Sequence, residues 1–207
     1  MKKIILGLVA LAAFVAPVSI NSASAALVSN INTGEAIYSI NGPGTGGAIN
    51  ALEIVKHPNW VTPTGDSDWI GVSNGSQTDA VGVFTYATSF DLTGFDASTA
   101  SIAGKVSVDN SAVFKLNGVE IGISVAGFRS LVDFSLLSGF IDGLNTLEIL
   151  VTNKAGGGLN PMGLLISDTA IQVTAVPLPA ALPLYGAGVV LLGLVGWRRK
   201  EKSIAAA

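Results

Sequence analysis

The stretch Val113-Phe114-Lys115-Leu116-Asn117-Gly118-Val119-Glu120-Ile121 constrains the fold more tightly than any other. Asn-Gly between two strand-like runs favours a two-residue type I′ hairpin, because both turn positions need positive φ. Other segments alternate with period two, the mark of half-buried strands. Within residues 146–153, Leu147, Ile149 and Val151 share one face, and Thr146, Glu148 and Thr152 the other. Residues 99–108 set Ile102, Val106 and Val108 against Ser101, Lys105 and Ser107. Residues 83–91 set Phe84, Tyr86 and Phe90 against Thr85, Ala87 and Ser89. Asn74-Gly75 and Asp142-Gly143 mark further turns, and long helical periodicity is absent. Strands are expected near residues 35–40, 52–56, 83–91, 99–108, 112–116, 119–123, 131–135, 145–153 and 163–174. Many short strands separated by turn residues predict an all-β chain: an antiparallel β-sandwich, arranged as a jelly roll. The glycine-rich segments 42–47 and 155–158 lack the Lys-Ser/Thr ending of a phosphate loop and read as surface turns.

Both ends differ from this body. Lys2-Lys3 precedes an apolar run over residues 4–18, and Ala23-Ser24-Ala25 supplies small residues for cleavage. Residues 1–25 therefore read as a secretory signal peptide with a helical core, and the mature chain begins at Ala26. At the other end, the 17 residues from Ala181 to Trp197 carry no charge. That suits a short transmembrane helix over about residues 182–197, with Pro183 tolerated in its first turn. Trp197 fits the membrane interface, and Arg198-Arg199-Lys200 should stay cytoplasmic. Both ends then lie on the cytoplasmic side, with residues 26–175 outside.

Those 150 residues are the size of one ordinary domain. They hold five Lys/Arg and thirteen Asp/Glu, so the body is near −8, against −3 for the whole chain. Such acidity argues against nucleic acid and anionic lipid, both of which need basic patches. Cysteine is absent, which excludes disulfides, thiol catalysis and Cys-ligated metals.

A polar sandwich face could hold sugar on aromatic platforms with polar neighbours. Trp60 and Trp69 are the leading aromatics, with Asp109, Asn110 and Arg129 as candidate partners; Tyr86 shares a face with Phe84 and Phe90 and reads as core. Packing and turn formation are the competing roles for these residues. Asp66, Asp68 and Asp79 lie in a Gly/Ser/Asn-rich region that could wrap calcium, although EF-hand spacing is missing. His57, the only histidine, precedes Pro58 and reads as a loop residue, which leaves a Ser-His-Asp triad hard to build. Glu53, Glu120 and Glu148 sit in strand patterns with solvent-facing side chains as the default. No catalytic residues are assigned, and the chain reads as a non-enzyme.

Two resemblances extend this reading. Val176-Pro177-Leu178-Pro179-Ala180, one hydrophobic helix and a basic cluster resemble the PEP-CTERM sorting tail of Gram-negative bacteria in its VPLPA variant, over residues 176–202. Leu178 stands where the common Pro-Glu-Pro form has Glu. The resemblance implies recognition of Val176, Pro177, Leu178, Pro179, Ala180, Arg198, Arg199 and Lys200 by a membrane-embedded exosortase. It also implies transient inner-membrane anchoring, cleavage near the motif, and delivery to the cell surface or exopolysaccharide matrix. From Trp60 to Gln172, Trp69-Ile70, Phe84-Thr85-Tyr86, Leu116-Asn117-Gly118 and Gly143-Leu144-Asn145-Thr146-Leu147 resemble galactose-binding-domain-like jelly rolls. That likeness implies a sugar-handling setting, with polysaccharide as neighbour or ligand. Exposed Trp60 or Trp69 on a concave face would favour a carbohydrate-binding module. Burial of both would favour a structural or adhesive matrix protein, and two facing carboxylates in a deep cleft would favour a hydrolase.

Overall fold

The computed structural model describes residues 25–27 (as backbone), 30–35, 37–73, 77–176, 185 and 188–193. Ten strands follow in chain order: β1 (Ala25–Leu27), β2 (Ser39–Asn41), β3 (Ile49–Asn50), β4 (Leu52–Glu53), β5 (Ile70–Gly71), β6 (Gly82–Asp91), β7 (Phe95–Leu116), β8 (Val119–Leu136), β9 (Leu144–Asn153) and β10 (Gly163–Ala175). Every described pairing is antiparallel. Their order is β3-β2-β6-β9-β7-β10-β5-β4, with β1 on β10 and β8 on β7. The two terminal members of that order are sequence neighbours joined by Ala51, whose N–H donates to the Tyr38 carbonyl at 2.8 Å. One kinked strand thus brings the two rims together, and the sheet nearly closes around its core.

Asn117-Gly118 makes the expected two-residue turn, with φ of 53° and 78° and Leu116 paired to Val119. The hairpin it closes is longer than expected: 99–108 and 112–116 are one strand, and 119–123 and 131–135 are another. The first strand stays continuous because its partner changes. Residues 95–109 of β7 pair with β10, and residues 111–116 pair with β9. Polar Asp109-Asn110-Ser111, turn-like in sequence, is therefore the corner where the ribbon passes between neighbours.

The alternations do what they promised on the inner face. Phe84, Tyr86, Phe90, Ile102, Val106, Val108, Leu147, Ile149 and Val151 all join the main core. Burying each large apolar side chain contributes roughly 1.5–3 kcal/mol before chain entropy is counted. Ser107 departs from the pattern. It sits on the outer face of β7 yet is fully buried, because the segment joining β4 to β5 folds over that face.

Residues 1–24, the turn at Asn74-Gly75, Pro177 to Ala180 and Arg198 to Lys200 lie outside the described residues. Of the expected helix at about 182–197, residues 185 and 188–193 are described, and they are helical. Among the described residues no helix is long and apolar enough to cross a membrane.

Candidate functional site

The β4–β5 connection, residues 54–69, carries both leading tryptophans. Ile54, Trp60, Trp69 and Leu165 form a second apolar cluster, flanked by Val61, Phe128 and Leu131. Leu165 belongs to β10 but points away from the main core, which takes its neighbours Leu164 and Ile166. Period-two geometry thus gives β10 two buried faces. The Trp60 and Trp69 rings lie 4.3 Å apart between centroids and are inclined by 35°. They settle over Gly163, where a Cβ would come within 2.8 Å of Trp60 and 3.0 Å of Trp69.

Polar contacts latch this connection down. Trp60 Nε1–H donates to Asp109 Oδ2 at 2.9 Å, and Trp69 Nε1–H donates to the Val61 carbonyl at 2.9 Å. Lys56 Nζ donates to the Trp60 carbonyl at 3.1 Å. The Val61 N–H donates to the Phe128 carbonyl of β8 at 2.7 Å. His57 packs beside Trp60, with ring centroids 6.2 Å apart. Burial pushes the Asp109 carboxyl above its ordinary range, while the Trp60 hydrogen bond and the charge of His57 pull the other way. A buried carboxylate is costly unless hydrogen-bonded, and the indole N–H offsets part of that cost.

Three of the sequence-derived candidates are therefore brought together, but as a closed assembly. Trp60 and Trp69 are 3% and 1% exposed, so neither ring face is open to a ligand. Asn110 is turned to another job, its Oδ1 accepting the Lys154 N–H at 2.6 Å. Arg129 is exposed on β8, its guanidinium 5.7 Å from the ring centroid of Phe128.

The calcium candidates are not gathered. Asp66 and Asp68 are exposed. Asp79 is buried, accepting from Ser73 Oγ at 2.6 Å and from the Met162 N–H at 2.8 Å. Its Oδ2 holds the entry to β10 in place, and its Oδ1 ties down the segment that leaves β5. Among the described residues no three His, Asp or Glu side chains are grouped to hold a metal ion.

The open surface lies at the neighbouring rim. A cleft of about 460 Å³ runs between β4 and the latched connection, lined by Glu53, Val55, Lys56, Pro63 and Asp68 over buried Ile54 and Trp69. A smaller, more enclosed hollow of about 230 Å³ shares Glu53 with it, adding Glu35, Ile37, Tyr38 and Asn50. Glu53 and Asp68 are exposed and Lys56 half-buried, so acceptors and a cation face one opening. Lys56 was not singled out by sequence, and Glu53 was read as an ordinary strand residue. Only the return of residues 63–69 beside β4 makes a cleft of them, and no local pattern announces that return.

No protein-family model and no curated protein matches the chain. Among solved structures, an FMN-binding beta-glucuronidase from Facaelibacterium prausnitzii L2-6 is 18% identical, with a TM-score of 0.44 over 73% of this chain and 23% of that one. A GH2 beta-galacturonidase from Eisenbergiella tayi is 16% identical, with a TM-score of 0.40 over 73% of this chain and 24% of that one. A family 35 carbohydrate binding module from an environmental isolate is 13% identical, with a TM-score of 0.34 over 73% of this chain and 95% of that one. The chain spans about a quarter of the length of the first two. These are partial likenesses of β architecture at low identity.

Proposed function

We propose that the chain is an exported, non-enzymatic surface or matrix protein, a galactose-binding-like jelly roll sorted through its C-terminal tail. It would meet polysaccharide through polar side chains around the Glu53 cleft. The observation that carries this reading is the placement of the two strands nearest the expected processing points. Ala25 of β1 pairs with Thr174 of β10, so the two ends leave the fold side by side. The last residue of β10 is Ala175, and the Val176-Pro177-Leu178-Pro179-Ala180 motif starts at the next position. Two apolar segments leaving one pole together fit a body anchored to a single membrane before processing.

A non-enzymatic role draws support from the cleft. Glycoside hydrolysis needs one carboxyl kept protonated, commonly by burial, opposite a second carboxylate. Glu53 and Asp68 are both exposed in an open cleft. A structural or adhesive protein without a ligand pocket is the second reading, and the burial of both tryptophans favours it.

Sedimentation of the detergent-solubilised chain with exopolysaccharide from its own host separates the two. Changing Glu53→Gln, Lys56→Ala and Asp68→Asn together should weaken binding by about tenfold or more, a loss of roughly 1.4 kcal/mol. Trp60→Phe should leave it unchanged. Polysaccharide binding indifferent to the cleft changes, or no binding at all, would hand the case to the structural reading.

A further inference from the structure

The end of β10 is held more firmly than a processing site needs to be. Thr174 is paired on both sides, with Ala25 of β1 and Asp96 of β7. Its N–H donates to Thr99 Oγ1 at 2.9 Å. Ala175 pairs with Phe95. The Val176 N–H, already in the motif, donates to the Gly94 carbonyl at 3.1 Å. No residue separates the last strand position from the first motif residue.

A protease binds its substrate as an extended segment covering several residues on each side of the cut. The same backbone groups cannot serve the enzyme and the sheet at once, so cleavage in such a place proceeds from a locally opened state. We infer that removal of the C-terminal tail is gated by fraying of residues 174–176 from residues 94–99, at and just before the start of β7. This rests on the sorting reading above. The chemistry is hydrolysis of one peptide bond in the motif: water gives its hydroxyl to the acyl carbon and its hydrogen to the released amine. What the fold controls is how often the bond becomes reachable. The proposal also gives β1 a role. The expected signal-peptide cut, between Ala25 and Ala26, falls inside β1, and β10 lies far downstream in the chain. Ala26 and Leu27, the first residues of the mature chain, would therefore reach Val173 and Gln172 of β10 only once the body has folded, and they brace the strand just before the segment that frays.

Pulse-chase of the full chain in its native host, following tail loss by mass, tests this. Inserting six Gly/Ser residues between Ala175 and Val176 leaves every β10 pair in place and moves the motif clear of the sheet. Thr99→Ala removes one restraint with the sequence of β10 and the motif untouched. The insertion should speed tail removal several-fold, with Thr99→Ala between it and the wild type. Resistance of the body to added protease confirms that both variants are folded. Processing of either variant at the wild-type rate or slower would overturn the gating. A wild-type chain that keeps its tail, alongside an inserted chain that also keeps it, would defeat the sorting reading itself and the gating with it.

Discussion

Asp109 sits where three distant parts of the chain meet: the tryptophan-bearing connection, the corner of β7 and the start of β10. Its carboxyl is raised chiefly by burial. A carboxyl with a raised folded pKa keeps its proton in the folded chain over a window in which the unfolded chain has lost it. Stability therefore falls as pH rises through that window, and the cost is complete above the folded pKa. Asp109→Asn removes the charge and keeps an oxygen to accept the Trp60 indole N–H. Denaturant midpoints measured across pH should show the wild type losing ground to the variant as pH climbs from the ordinary carboxylate range, and the variant at least as stable at neutral pH. A difference that does not change with pH would contradict the assignment. The identity of these residues was legible in sequence and their company was not. A tryptophan offers an apolar body and one N–H donor, which suits a sugar platform and a buried latch equally. What decides is the bare surface of Gly163, about a hundred positions further along the chain.

At the scale of elements, the loop before β9 is organised by Asn145 and Asn117. Asn145 is fully buried, and its amide donates to the Ile141 and Gly143 carbonyls at 2.7 and 2.9 Å. Its Oδ1 accepts the Ile141 N–H and Asn117 Nδ2, both at 2.9 Å. Asn117, in the β7–β8 turn, accepts the Thr146 N–H at 3.0 Å. Asn145→Ala should cost about 1–3 kcal/mol for each buried polar group left unpaired, read from chemical denaturation. A loss below about 0.5 kcal/mol, the range of ordinary surface changes, would mean water replaces the amide. Strand positions were legible here because alternation is local. Strand lengths were not, because Asn110 and Gly127 look like breaks and become a corner and a bulge. Gly127, at φ 103°, and Gly122, at φ 73°, interrupt the outer edge of β8, and Glu120, Arg129 and Asp133 add charge along it. Such bulges and charges are how an edge avoids pairing with a second chain.

At the scale of the molecule, the nearly closed sheet, the covered outer face and the acidic surface describe a body stabilised without disulfides or a described metal cluster. The proposed function draws mainly on the two ends, where apolar length, small residues, prolines and basic clusters raise an expectation without a fold. The cleft was not legible, because it is made by residues that each look like ordinary surface. The central claim, that the tail is a sorting signal and the body its cargo, is tested most directly by intact mass and fractionation in the native host, with Pro177 and Pro179 both changed to Ala as the comparison. The account predicts that the wild type loses its tail near residues 176–180 and reaches the surface or the matrix, and that the double variant keeps the tail and stays in the inner membrane. A tail retained in both would make it an ordinary anchor and contradict the account.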